Sequence, residues 1–128
     1  MIYLLDTHLL LWLSMRPEKL SDRARALIEE PAVGLMFSSA AIWEVAIKFG
    51  LGRTDFTVDP RVLRRGLLDN GYAELPIAGA HGAAVIELPP LHADPFDRIQ
   101  VAQARVEGLN LLTSDERVAQ YGSPVQLV

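Results

Sequence analysis

Asp6, Glu44, Asp97 and Asp115 are the residues whose types and positions could do chemistry. Asp6 directly follows the apolar run MIYLL, and Asp115 stands two residues beyond a second run, NLLT. Asp97 lies three residues after Asp94, across Pro95, where a long amphipathic segment begins. Glu44 sits inside AAIWEVAIKF, a stretch with few residues suited to solvent. Each acid also has a local use. Asp6 and Asp115 can cap the helices that follow them, and Asp97 can favour a helix dipole. Glu44 and Lys48 have the i, i+4 spacing of an ion pair that contributes roughly 0.2–0.5 kcal/mol. If the four acids converge, each pair about 5 Å apart repels by roughly 3 kcal/mol at an effective dielectric near 20. Such a cluster stays ionised only beside a cation. Oxygen ligands without cysteine select Mg²⁺ or Mn²⁺ over zinc. An ion held this way lowers the pKa of a bound water and neutralises a phosphoryl oxygen, so the implied reaction class is phosphodiester hydrolysis. The spacing does not fix whether one ion or two are held.

The elements that must position these acids read as α/β with a mostly parallel sheet, because short apolar runs alternate with longer helical patterns. Strands are expected at Met1–Leu5, Leu35–Ser38, Ala73–Ile77, Asn110–Thr113 and Val125–Val128. Helices are expected at Thr7–Ser14, Ser21–Glu30, Ala40–Phe49, Pro60–Asp69, Ala78–Leu88, Pro95–Glu107 and Glu116–Tyr121. The sixth is the best punctuated: Asp94 caps it, Pro95 suits its first position and Gly108 ends it. Ligands of open α/β sheets bind beyond the carboxyl ends of the strands, which is where Asp6 and Asp115 fall.

The chain has 128 residues and a net charge of −4, from 12 Lys and Arg against 16 Asp and Glu. Half the residues are apolar and 22% are charged, so a single globular domain over residues 1–128 is expected. The absence of cysteine excludes disulfide scaffolds, thiolate metal sites and thiol nucleophiles. Asp6 and His8 interrupt the apolar N-terminal run and no basic segment precedes it, so neither a signal peptide nor a membrane span is expected. A cytoplasmic protein with no membrane partner fits this reading.

An acidic balance is unusual for a nucleic-acid enzyme, since phosphate contacts are normally made by a basic excess. Two divalent ions would cancel the four proposed ligands, leaving Lys48, Arg53, Arg64, Arg65 and Arg98 to meet phosphates. Equally, Arg61, Arg64 and Arg65 can form a solvated helix face. Thr7, Thr113 and Ser114 flank the acids and can orient a carboxylate or bond the backbone locally. His8 and His92, in apolar sequence surroundings, are read as non-catalytic. Trp12, Trp43 and Phe96 are read as core or dimer-interface residues rather than base-stacking ones.

Four segments carry a family resemblance: LLDTHLLLW (4–12), SSAAIWEVAIKFGLGR (38–53), LPPLHADPFDRIQVAQA (88–104) and LLTSDERVAQY (111–121). In order and over nearly the whole chain, they resemble the PIN-domain ribonuclease toxins of the VapC type. Any one motif is weak, but four in sequence are specific. By that resemblance Asp6, Glu44, Asp97 and Asp115 match the family's acidic set, and Asp94 is the helix cap beside it. It implies a three-layer α/β/α sandwich around a parallel four- to five-stranded sheet. It also implies Mg²⁺ or Mn²⁺ dependence, endonucleolytic cleavage of RNA, homodimers and inhibition by a cognate antitoxin. Ala93 and Val118 depart from the usual pattern, at positions that bear on RNA contacts rather than on the acids.

Other classes are less well served. A receiver-like signalling module wants paired acids after the first strand and an acceptor Asp after the third. A phosphatase with an aspartate nucleophile wants an acid where His8 stands. A catalytically silent PIN-like binding module is the alternative that intact acids argue against.

Overall fold

The computed structural model describes residues 1–128 and contains one five-stranded sheet. Its strands are β1 (Ile2–Leu5), β2 (Gly34–Ser38), β3 (Ala73–Leu75), β4 (Asn110–Thr113) and β5 (Val125–Leu127). All neighbours pair in parallel, in the order β3-β2-β1-β4-β5. β1 is the central strand, with Leu5 in register with Phe37 on one side and Leu112 on the other.

Side chains alternate across a strand, so each strand feeds two cores. Tyr3, Leu5, Phe37 and Leu112 enter one of them, together with Leu9 and Leu10 from α1 (Thr7–Met15). Ala24 of α2 (Asp22–Glu29), Ala41 and Val45 of α3 (Ser39–Gly50), and Leu63 and Leu67 of α4 (Pro60–Asp69) complete that core. Leu4, Leu75 and Leu111 enter the opposite core, where Ala84 of α5 (Gly79–Ala84), Val101 of α6 (Pro95–Glu107) and Val118 of α7 (Glu116–Ala119) pack. The two-faced arrangement follows from handedness. The chain steps from β1 to β2 to β3 in one direction, then returns across β1 to β4 and β5. Right-handed crossovers must therefore lie on one face before the reversal and on the other after it. The result is the expected α/β/α sandwich.

Local chemistry explains the helix boundaries. Ser21, Ser38, Asp59 and Asp94 each cap the following helix by accepting a backbone N–H. Gly108 ends α6 in the left-handed conformation at φ 68°, which a side chain would resist. Four elements differ from expectation. The segment Ala78–Leu88 is not one helix but α5 followed by a 3₁₀ turn at Val85–Glu87, consistent with the weak helix propensity of Gly79 and Gly82. β3 ends at Leu75 rather than Ile77, because Pro76 has no N–H to continue the ladder. α7 stops at Ala119, and a 3₁₀ turn at Pro17–Lys19 links α1 to α2. No helix is long and apolar enough to cross a membrane.

Candidate functional site

The strand order reverses at β1, so the crevice between the carboxyl ends of β1 and β4 is the topological switch point. Asp6 stands there. Its backbone N–H donates to Leu112 O across the strand pair at 3.1 Å, which fixes where its side chain starts. Oδ1 caps α1 by accepting Leu9 N–H at 3.0 Å, and Oδ2 accepts the Thr113 hydroxyl from β4. The residue is only 4% exposed. Burial pushes its carboxyl up to about 6, against the pull of those two hydrogen bonds, and the charge of Asp97 adds to the rise.

Asp97 projects from the first turn of α6. Asp94 does the capping there, its Oδ1 accepting Phe96 N–H at 2.9 Å and Asp97 N–H at 3.1 Å. Asp97 is therefore not needed by its own helix end. Its carboxyl is raised by burial first, then by the charge of Asp94, with Glu44 adding to the rise and the His92 hydrogen bond opposing it. Glu44 reaches the same field from α3 and is 6% exposed. Lys48 Nζ meets its Oε2 at 3.0 Å, the pair expected from spacing, but its Oε1 is buried with no hydrogen-bond partner. Gln100 Oε1, one turn beyond Asp97 on α6, is likewise buried without a partner, while its Nε2 donates to Thr7 Oγ1 at 3.2 Å.

Asp115 behaves differently. Its Oδ1 caps α7 by accepting Arg117 N–H at 2.8 Å, and the Arg117 guanidinium meets Oδ2 at 2.9 Å. That hydrogen-bonded arginine holds its carboxyl below the usual carboxylate range. Its link to the other acids runs through Thr113, whose Oγ1 accepts Asp115 N–H at 3.0 Å while donating to Asp6. Asp6, Glu44 and Asp97 thus share one electrostatic neighbourhood, with Asp115 on its margin. No three acid or histidine side chains are drawn close enough to form a finished metal cage.

Other assignments change once the side chains are placed. Trp43 is not core: it is 60% exposed, packing edge-on against Phe96 at 5.1 Å between ring centroids. The helix face at Trp43 and Ile47 is open, so only the Glu44 side of α3 is buried, as its periodicity requires. His8 is exposed rather than in apolar surroundings. His92 is not in apolar surroundings either: it joins Tyr121 and Asp97 in a polar network that its position five residues before Asp97 does not advertise. Of the basic residues, Arg53 pairs with Asp55, Arg61 with Asp59 and Arg64 with Glu74, so these guanidinia are engaged locally. A groove of about 800 Å³ lies elsewhere. It runs between the end of α1, Ile28 of α2 and Val62 of α4, and is mostly apolar.

A parallel sandwich with strand order 3-2-1-4-5 and acids at its switch point defines the class to which the chain can be assigned. Residues 3–123 match the PIN domain family, and the chain belongs to it. The fold is shared with a chain of VapBC2 from Rickettsia felis bound to a DNA fragment from their promoter, with a TM-score of 0.73 at 15% identity over 100% of this chain and 98% of that one. VapBC-1 from nontypeable Haemophilus influenzae gives 0.65 at 20% identity over 100% and 97%. VapC20 of Mycobacterium tuberculosis, a sarcin–ricin loop cleaving toxin, gives 0.62 at 14% identity over 94% and 95%. At these identities the likeness is one of fold. No curated protein sequence matches the chain.

Proposed function

We propose that the chain is a divalent-metal-dependent endoribonuclease acting as the toxin of a toxin–antitoxin pair. The observation that carries this reading is Glu44 Oε1, a buried carboxylate oxygen with no partner, in the same field as two carboxyls, Asp6 and Asp97, that burial and neighbouring negative charge push up. An unpartnered oxygen of this kind is costly unless something cationic meets it. The donor set is all oxygen, which fits Mg²⁺ or Mn²⁺. Asp6, Glu44 and Asp97 would hold the ion, and Asp115 would bind on its outer side. When bound, such an ion supplies a Lewis acid for a phosphoryl oxygen and makes a water more acidic.

The chain's own residues do the positioning. Thr113 fixes Asp6 Oδ2 from the neighbouring strand, so that carboxylate has one orientation. Asp94 satisfies the α6 N-terminus and leaves Asp97 free to face the crevice. That helix end also favours the negative charge of a phosphate approaching it. An RNA substrate, an antitoxin partner, a homodimer and a cytoplasmic setting belong to the same reading; the family membership and the toxin–antitoxin neighbours support it.

Cleavage of RNA in the presence of Mg²⁺ or Mn²⁺, abolished by EDTA and by Asp6→Asn, is the expected result. An Asp6→Asn protein that cuts as fast as the parent would overturn the assignment. One observation favours a second reading, a catalytically silent binding module: the Lys48 ammonium already neutralises Glu44 through Oε2. A parent that takes up no Mn²⁺ and cleaves no RNA would favour it.

A further inference from the structure

His92 lies in the loop before α6, with Asp97 on one side of its ring and Tyr121 on the other. Nε2 stands 3.1 Å from Asp97 Oδ2, and Nδ1 stands 2.8 Å from the Tyr121 hydroxyl. Arg98 Nη1 approaches the same hydroxyl at 2.8 Å and Pro89 O at 2.9 Å. The His92 side chain is 9% exposed and that of Asp97 is 16% exposed.

With a neutral imidazole, Arg98 sets the direction of the bonds in this chain. A guanidinium only donates, so the Tyr121 oxygen must accept from it. The single hydroxyl proton of Tyr121 is then free for its other neighbour, His92 Nδ1, and satisfying that proton makes Nδ1 the acceptor. A neutral imidazole with an accepting Nδ1 carries its proton on Nε2, where it donates to Asp97 Oδ2. For a neutral ring the reverse direction would leave the Tyr121 proton without an acceptor in the network and would turn the bare Nε2 lone pair towards the Asp97 carboxylate.

We infer that His92 is a positioning residue: an Arg98→Tyr121→His92→Asp97 relay fixes the imidazole in its Nε2–H tautomer and holds one oxygen of Asp97, leaving the other for the crevice. The inference rests on the reading of Asp97 as a metal ligand. His81 provides an internal reference, because Ala78 N–H donates to its Nδ1 at 2.8 Å and its Nε2 meets Glu107 at 2.8 Å, far from the acids in the fold. Both rings should share a tautomer, but only His92 should matter for metal.

The test uses the full chain with nitrogen-labelled histidine at about pH 8, above the ordinary histidine range. Long-range proton–nitrogen correlation spectra, assigned with single His→Gln variants, should give the Nε2–H pattern for His92 and His81. Mn²⁺ uptake is measured by calorimetry alongside Mg²⁺-dependent RNA cleavage. His92→Ala should weaken Mn²⁺ uptake by about 10- to 100-fold, the usual cost of losing a residue that orients a metal ligand. His92→Gln, which keeps a donor near the Nε2 position, should recover most of that loss. Tyr121→Phe guards against misfolding of the alanine variant. It keeps the packed ring, and should mix the His92 tautomers and weaken Mn²⁺ uptake by a smaller factor. A His92 with its proton on Nδ1, or a folded His92→Ala protein that takes up Mn²⁺ like the parent, overturns the relay alone. A parent with the expected tautomer but no Mn²⁺ uptake overturns the nuclease reading, and the positioning role with it.

Discussion

Asp97 and Asp115 both stand beside a helix entrance at the carboxyl edge of the sheet, and their surroundings differ. At α7, Asp115 is itself the cap and takes a guanidinium two residues away, so its carboxyl is held low and its oxygens are occupied. At α6, a separate residue, Asp94, performs the capping, and Asp97 sits one turn further in, half-buried and repelled by its neighbours. Asp115 is satisfied by its own helix and by the guanidinium together. An acid relieved of that duty stays available to a ligand. Family-pattern matching treats the two aspartates alike, whereas their local chemistry ranks them.

The largest effect expected from this contrast is on RNA cleavage. Asp97→Asn should lower the rate by about 100-fold or more, while Asp115→Asn should cost no more than about tenfold, the lower end of an outer-layer contribution. Equal losses in a side-by-side assay would erase the distinction.

Next comes stability. Burial raises the Asp6 carboxyl from 3.8 to about 6, so the folded protein holds this proton more tightly than the unfolded chain does. The contribution of this group is fully present below about pH 4 and is lost as the pH rises through 6, a change of ~3 kcal/mol. In metal-free protein, Asp6→Asn should melt higher than the parent at about pH 8, with the gain shrinking towards about pH 4. Asparagine caps helices as well as aspartate does, so the fold should be retained. Parallel melting curves across that range would show that Asp6 is not raised.

A smaller effect is expected at the capping residue. Asp94→Ala should cost about 1 kcal/mol in thermal or denaturant unfolding through loss of the α6 cap. It should also lower the proton affinity of Asp97 by removing a neighbouring negative charge, which a carboxyl NMR titration reads directly. Smallest of all is Arg117→Ala. An exposed pair of this kind contributes little, because solvent screens it and ordering the arginine costs entropy. The variant should leave the melting temperature nearly unchanged while returning the Asp115 carboxyl towards its ordinary value. A larger loss of stability would make the Arg117 contact a structural one.

Much of this organisation is legible without coordinates where local chemistry is decisive. The bounds of α6 follow from a cap, a proline at the first position and a terminating glycine, and the start of α4 from its proline. The Glu44–Lys48 pair follows from spacing alone. Elsewhere the pattern is silent because the deciding contact is distant in sequence. Tyr121 reaches His92 from a turn 29 residues on, and nothing local to either residue signals it. Trp43 is bulky and apolar, which suggests burial, yet it stands on the open side of a helix whose Ala41 and Val45 already fill the core. The sequence singles out four candidate acids; the difference between Asp97 and Asp115 depends on which oxygens neighbouring donors occupy.

Placing β1 at the centre of the sheet also has a temporal consequence. Its partner β4 begins at Asn110, so the carbonyl and hydroxyl that orient Asp6 belong to the last fifth of the chain. Contacts of such long separation form late, after a costly loop has closed, and synthesis proceeds from the amino end. A nascent polypeptide carries its first acid for most of translation with only the Leu9 amide to hold it. Ribosome-bound fragments that stop short of β4 lack the strand partner and the hydroxyl that complete the setting of Asp6.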